Sequence, residues 1–241
     1  MTYFRFHVLF NLPVLLVLGG INLLVPVQPG ESFALGLVLL AVLIFTTPWD
    51  NYAAACGIWG FPTGRYSFKI GYLPLEEYLF FLLQSLNVIL AERFLTRRFQ
   101  FFQNACSTPL HQEQFMMLFS FIVVWFAWGF YWLKNPGPRA HHYMRHLLFW
   151  FLPVIFIQYI IAGFLISSHS ALLLLLTLAF GTYYTATDII AVRAGTWFID
   201  GQQTTGFKLF GILPWEEAVF FYLTSLLVAQ SYLLLLPAQL R

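Results

Sequence analysis

The stretch Leu73-Pro74-Leu75-Glu76-Glu77-Tyr78-Leu79-Phe80-Phe81 returns 140 residues later as Leu213-Pro214-Trp215-Glu216-Glu217-Ala218-Val219-Phe220-Phe221. Pro suits the first position of a helix, where its missing N–H is not needed. The two glutamates then fall in the first turn of an apolar helix, where the helix dipole favours negative charge. Four residues on, at one helical turn, each glutamate is followed by a phenylalanine on its own face. A carboxyl at the rim of an apolar run, with an aromatic ring just inside it, therefore occurs twice.

The matches continue outward. Tyr3-x-Arg5 pairs with Tyr143-x-Arg145, and Leu12-Pro13-Val14 with Leu152-Pro153-Val154. Asp50 and Gly57-x-Trp59 pair with Asp188 and Gly195-x-Trp197 at an offset of 138, and Ser85 pairs with Ser225 at 140. A two-residue insertion near 200–203 accounts for the change of offset. Charged, Pro and Gly positions recurring in order mark an internal duplication. It divides the chain into a first repeat at 1–100, a connecting segment at 101–140 and a second repeat at 141–241.

Hydrophobic residues make up 60% of the 241 positions and charged residues only 9%. A soluble domain carries far more charge. Apolar runs near the roughly 20 residues needed to cross a bilayer predict about seven spans, at 6–27, 33–47, 73–91, 115–133, 147–166, 171–187 and 213–236. The first is read as a retained span, since no cleavage site follows it. The expected fold is an all-α integral membrane bundle of two three-helix repeats joined by one extra helix. Four crossings separate equivalent positions, so the repeats run parallel, with their pseudo-two-fold axis along the membrane normal. Both Pro-x-Glu-Glu motifs then share one face. Eight Lys and Arg on the amino-terminal side against four opposite (Arg93, Arg97, Arg98, Arg241) favour a cytoplasmic amino terminus in the cell membrane.

Glu76, Glu77, Glu216, Glu217, Asp50 and Asp188 are the candidate acid–base residues. Were all six to converge, they could not all ionise, and a general acid would stand beside general bases. Phe80, Phe81, Phe220 and Phe221 are candidate substrate contacts, because aromatic faces attract positive charge. Trp59, Trp197 and Trp215 are candidate lining residues. A proton source beside π surfaces suits protonating an alkene and shielding the resulting carbocation from water.

Other classes find less support. No G-x-G-x-x-G follows a strand, so no dinucleotide cofactor is expected. The two cysteines, Cys56 and Cys106, have no metal or disulfide spacing and are expected to be small buried hydrophobes. No metal site is expected, because His141, His142 and His146 form only one juxtamembrane cluster. No basic stripe suggests nucleic acid. A transporter would carry its acids at mid-membrane on broken helices. A non-catalytic pigment-binding protein would keep the aromatics without needing four glutamates.

At the duplicated Pro-x-Glu-Glu, with its upstream Asp and following Phe-Phe, the chain resembles the membrane-embedded lycopene cyclase family in its fused two-half form. The resemblance covers nearly the whole chain. It implies redox-neutral cyclisation of the ψ ends of lycopene to β-rings, without a cofactor. It implies a carotenoid substrate held in the bilayer and other carotenoid enzymes as partners. It also places Glu76, Glu77, Glu216 and Glu217 at the family's acidic positions. Another ring type or another carotenoid stays open, and Trp215 in place of Leu75 makes the halves unequal.

Overall fold

A computed structural model of the chain describes residues 1–99, 112–134 and 137–240. Cys106, Arg241 and the start of the connecting segment lie outside the described residues. Among the described residues seven long helices appear: α1 (Tyr3–Asn22), α2 (Glu31–Ala55), α3 (Leu75–Arg98), α4 (Gln112–Lys134), α5 (His142–Ser168), α6 (Ser170–Arg193) and α7 (Trp215–Leu235). All but α4 lie in segments long and apolar enough to span a membrane, and the apolar part of α4, Met116–Trp132, is shorter. The fold is an all-α membrane bundle of two parallel repeats, α1–α3 and α5–α7, and α4 packs against α5.

Local chemistry explains several details. Pro13 cannot donate to the carbonyl four residues back, and α1 widens just before it into a π turn at His7–Asn11. Helices α2 and α6 end in the same cap. Gly57 and Gly195 take φ +69° and +63°. The N–H of Ile58 reaches the Ala53 carbonyl at 2.9 Å, and that of Thr196 reaches the Ala191 carbonyl at 3.0 Å. This is the Schellman arrangement, which needs a left-handed residue and so selects glycine. It turns the chain back over the end of the bundle and delivers Trp59 and Trp197 there.

Both of these helices run past the ends expected for them. Asp50 and Asp188 lie inside α2 and α6 rather than at their termini, because they are buried against the other half instead of capping at a water interface. Pro74 and Pro214 sit one residue before the first helical position. Cys56, expected to be buried, is exposed at the cap of α2.

Short strands tie the loops together. β1 (Trp59–Gly60) pairs antiparallel with β4 (Phe198–Ile199), setting Gly60 opposite Phe198. Under the 138 offset these two positions are equivalents, so the pseudo-two-fold axis passes between them. The Phe198 ring lies where a Gly60 Cβ would be, 2.5 Å from its built position. β2 (Lys69–Ile70) with β3 (Leu73–Pro74), and β5 (Lys208–Leu209) with β6 (Leu213–Pro214), form matching hairpins ahead of α3 and α7. Within the bundle α3 packs on α7, and Gln84 donates to its own repeat equivalent, Thr224, at 2.9 Å.

At the other end of α3 a buried Glu31 binds two arginines. Its Oε2 lies 3.1 Å from Arg93 Nε, and its Oε1 lies 2.8 Å from Arg97 Nη2. Arg93 also donates to Asn22 Oδ1 at 2.7 Å and to the carbonyls of Val25 and Pro26 at 3.0 Å each. In the loop before α7, the Gln202 backbone N–H and then the Gln203 and Arg139 side chains hold the Asp200 carboxyl below its ordinary range.

Candidate active site

One pocket opens at the end of the bundle where the Trp-bearing loops return. It is a small pocket, partly open to its surroundings. Asp50, Glu77, Asp188 and Glu217 line it together with Tyr3, Tyr143 and a shell of aromatic rings. All four carboxyls are buried or half-buried.

The four acids form two matching nests, each built from both halves. In one, Tyr3 Oη donates to Glu77 Oε2 at 2.7 Å, and Trp197 Nε1 donates to Asp188 Oδ1 at 2.7 Å. The Tyr3 and Trp197 rings lie against each other, with centroids 4.7 Å apart. In the other, Tyr143 stands beside Glu217 and Trp59 beside Asp50. The Trp59 and Tyr143 rings stand edge to face at 5.3 Å. One oxygen of each aspartate, Asp50 Oδ1 and Asp188 Oδ2, has no hydrogen-bond partner. Such an arrangement fixes Glu77 and Asp188 by neutral donors while leaving an oxygen of each aspartate for proton transfer.

Glu76 and Glu216 stand apart from the pocket. Consecutive residues on a helix point about 100° apart, so only one glutamate of each pair can face inward. Glu76 Oε1 instead accepts from the backbone N–H and hydroxyl of Ser67 at 2.8 and 2.6 Å. Glu216 Oε1 accepts from Thr205 in the same way at 2.6 and 2.7 Å. They clamp the segments leading into the two hairpins. A Glu76→Gln or Glu216→Gln variant keeps the accepting oxygen and loses only charge assistance, about 1 kcal/mol. Its turnover is expected to stay within about threefold of the unaltered chain, with a lower melting temperature that thermal unfolding in detergent will record.

Phe80, Phe220, Phe221, Trp59 and Trp197 line the pocket, whereas Phe81 and Trp215 do not. Phe81 is buried edge-on to Tyr78, and Trp215 Nε1 donates to Thr205 Oγ1 at 2.6 Å. Sequence reasoning missed Tyr3, Tyr143 and Trp49 as lining residues. The tyrosines were visible as a repeated pair, but their bonds to the glutamates depend on how α1 and α5 pack. Trp49 has no aromatic repeat partner and carried no signal.

Fold and pocket together define a polytopic, all-α membrane protein of two parallel repeats with a carboxyl-rich, aromatic-walled site at their shared end. No protein-family model matches the chain. No solved structure matches it. Lycopene beta-cyclase of Halobacterium salinarum is 28% identical over 204 residues, covering 85% of this chain and 82% of that protein. The bifunctional lycopene cyclase/phytoene synthase of Sporisorium reilianum is 30% identical over 243 residues, covering 96% of this chain and 34% of its own length. The protein of the same description from Blakeslea trispora is 29% identical over 231 residues, covering 93% and 37%. Over most of its length the chain is thus similar to lycopene cyclases.

Proposed function

We propose that this protein is a lycopene beta-cyclase of carotenoid biosynthesis, working by acid–base chemistry without a cofactor. The observation that carries the reading is the convergence of Asp50, Glu77, Asp188 and Glu217, two from each half, in one aromatic-walled pocket. One carboxyl gives its proton to the terminal double bond of a ψ end, leaving a tertiary cation. The neighbouring double bond attacks it and closes a six-membered ring. A carboxylate then takes a ring proton, and the C–H electron pair becomes the β-ring double bond. Electrons are neither gained nor lost. The aromatic faces stabilise the cation, and the length of the polyene stays in the bilayer while its tip enters the open side of the pocket.

Glu77 and Glu217, with Asp50 and Asp188, are the acid–base residues in this reading. Phe80, Phe220, Phe221, Trp59 and Trp197 contact the substrate. The repeats at 1–100 and 141–241 supply half of each nest. The pocket face is cytoplasmic: opposite it, Arg93 and Arg97 are bound to Glu31, which weakens their weight as orientation charges.

Expression of the chain alone in lycopene-accumulating bacteria tests the function. β-Carotene, or its one-ringed precursor, is the expected pigment. Rings with a different double-bond position would reassign the product, and unchanged lycopene bound to the purified protein would favour a pigment-binding role.

A further inference from the structure

The two nests are twins, but what stands behind them differs. Trp49 lines the pocket and is 1% exposed. Its ring stacks on Phe220, with centroids 5.2 Å apart and planes 16° apart, and His146 stacks on it at 5.4 Å and 6°. Phe151 meets it edge-on at 5.1 Å. Trp49 also touches Trp59 at 5.2 Å, the indole beside Asp50. Its own Nε1 is buried without an acceptor. Under the 138 offset its counterpart is Thr187, whose hydroxyl donates to the Tyr184 carbonyl at 3.0 Å and which does not line the pocket.

The Phe80 side is backed by polar groups instead. His7 Nε2 bonds the Glu76 carbonyl at 2.8 Å, and Asn11 Nδ2 bonds His7 Nδ1 at 2.9 Å. Asn87 Nδ2 donates to Tyr184 Oη at 2.9 Å, and the Tyr184 ring lies 5.8 Å from Phe80. The counterparts of His7, Asn11 and Asn87, 140 residues on, are Leu147, Phe151 and Leu227.

We propose that the nests divide the work, and that Trp49, stacked behind Phe220, is the positioning residue that decides how. This rests on the cyclase reading. The protonated carboxyl belongs to the Asp50–Glu217 nest, and the cation forms over the pocket-lining ring of Phe220, which the Trp49 indole backs and holds in place. The ring proton leaves to a carboxylate of the Glu77–Asp188 nest and passes back between the facing carboxyls, restoring both nests without an outside proton source.

The test follows products from lycopene in membranes carrying the Trp49→Leu, Trp49→Phe and Thr187→Val variants. Trp49→Leu should slow ring formation about 10–30-fold. It should also raise the share of hydrated, acyclic carotenoid, the product of water capturing an unshielded cation. Trp49→Phe should recover most of the rate and suppress the hydrate, and Thr187→Val should match the unaltered chain. Equal rates and products in all variants overturn the assignment. So does equal slowing in both Trp49 variants with no hydrate, which is what a purely structural role would give. If the unaltered chain forms no ring from lycopene, the cyclase reading itself falls. If it does and the Trp49 variants fail as described, only the division of labour falls.

Discussion

A Glu77→Gln/Glu217→Gln double variant is expected to leave lycopene uncyclised while the protein still folds and takes up pigment. Glutamine preserves the shape of the side chain and, at position 77, an oxygen that accepts the Tyr3 hydroxyl. What it removes is the ability to hold and release a proton. General acid–base groups contribute about 10²–10⁴-fold each, so loss of both glutamates places turnover below detection in a pigment extract resolved by chromatography. The single variants read out the two nests separately, with Glu217→Gln the more severe if the cation forms over Phe220. Retention of more than about a tenth of the original ring formation in the double variant would sink the carboxyl mechanism, whatever the fold.

The second large effect concerns stability. Glu31 is 3% exposed and bridges Arg93, itself 6% exposed, and Arg97. Glu31→Ala strands these two cations beside an apolar bundle. Removing one partner of a buried pair costs about 3–5 kcal/mol, a large fraction of the stability of most domains. Arg93 keeps its bonds to Asn22, Val25 and Pro26, so the loop between α1 and α2 stays attached while the start of α2 loosens from α3. A thermal melt in detergent should fall sharply for Glu31→Ala and by less for Glu31→Gln, which retains an acceptor. Identical melting of Glu31→Ala and the unaltered chain would show that water reaches the arginines freely.

Much of the architecture was written in the order of a few residues. Apolar runs predicted the number of helices, and the repeated Leu-Pro-x-Glu-Glu predicted that the halves lie parallel. Helix ends were harder. Asp50 looked like an interfacial stop because acids normally face water, yet it continues a helix inside the protein. The choice within each glutamate pair was illegible for a geometric reason: both residues have the same chemistry, and only the rotation of α3 and α7 against their neighbours separates pocket from hairpin clamp. Likewise Tyr3 reaches Glu77 across 74 positions of sequence, a contact that no local pattern encodes. Trp49 has Thr187 as its counterpart, so no repeat marks it in the sequence.

The Gly60–Phe198 pairing has an evolutionary and practical consequence. A junction in which a strand meets its own counterpart has the form of an isologous contact, so it can join two separate molecules as well as two halves of one. With each carboxyl nest drawing on both halves, neither half encloses a complete reaction chamber by itself, and α4 serves as a tether that sets local concentration rather than as a wall. Severed into two polypeptides and produced in the same cell, the halves should therefore find each other and regain ring-forming activity, more weakly and with a dependence on dosage that the joined chain lacks.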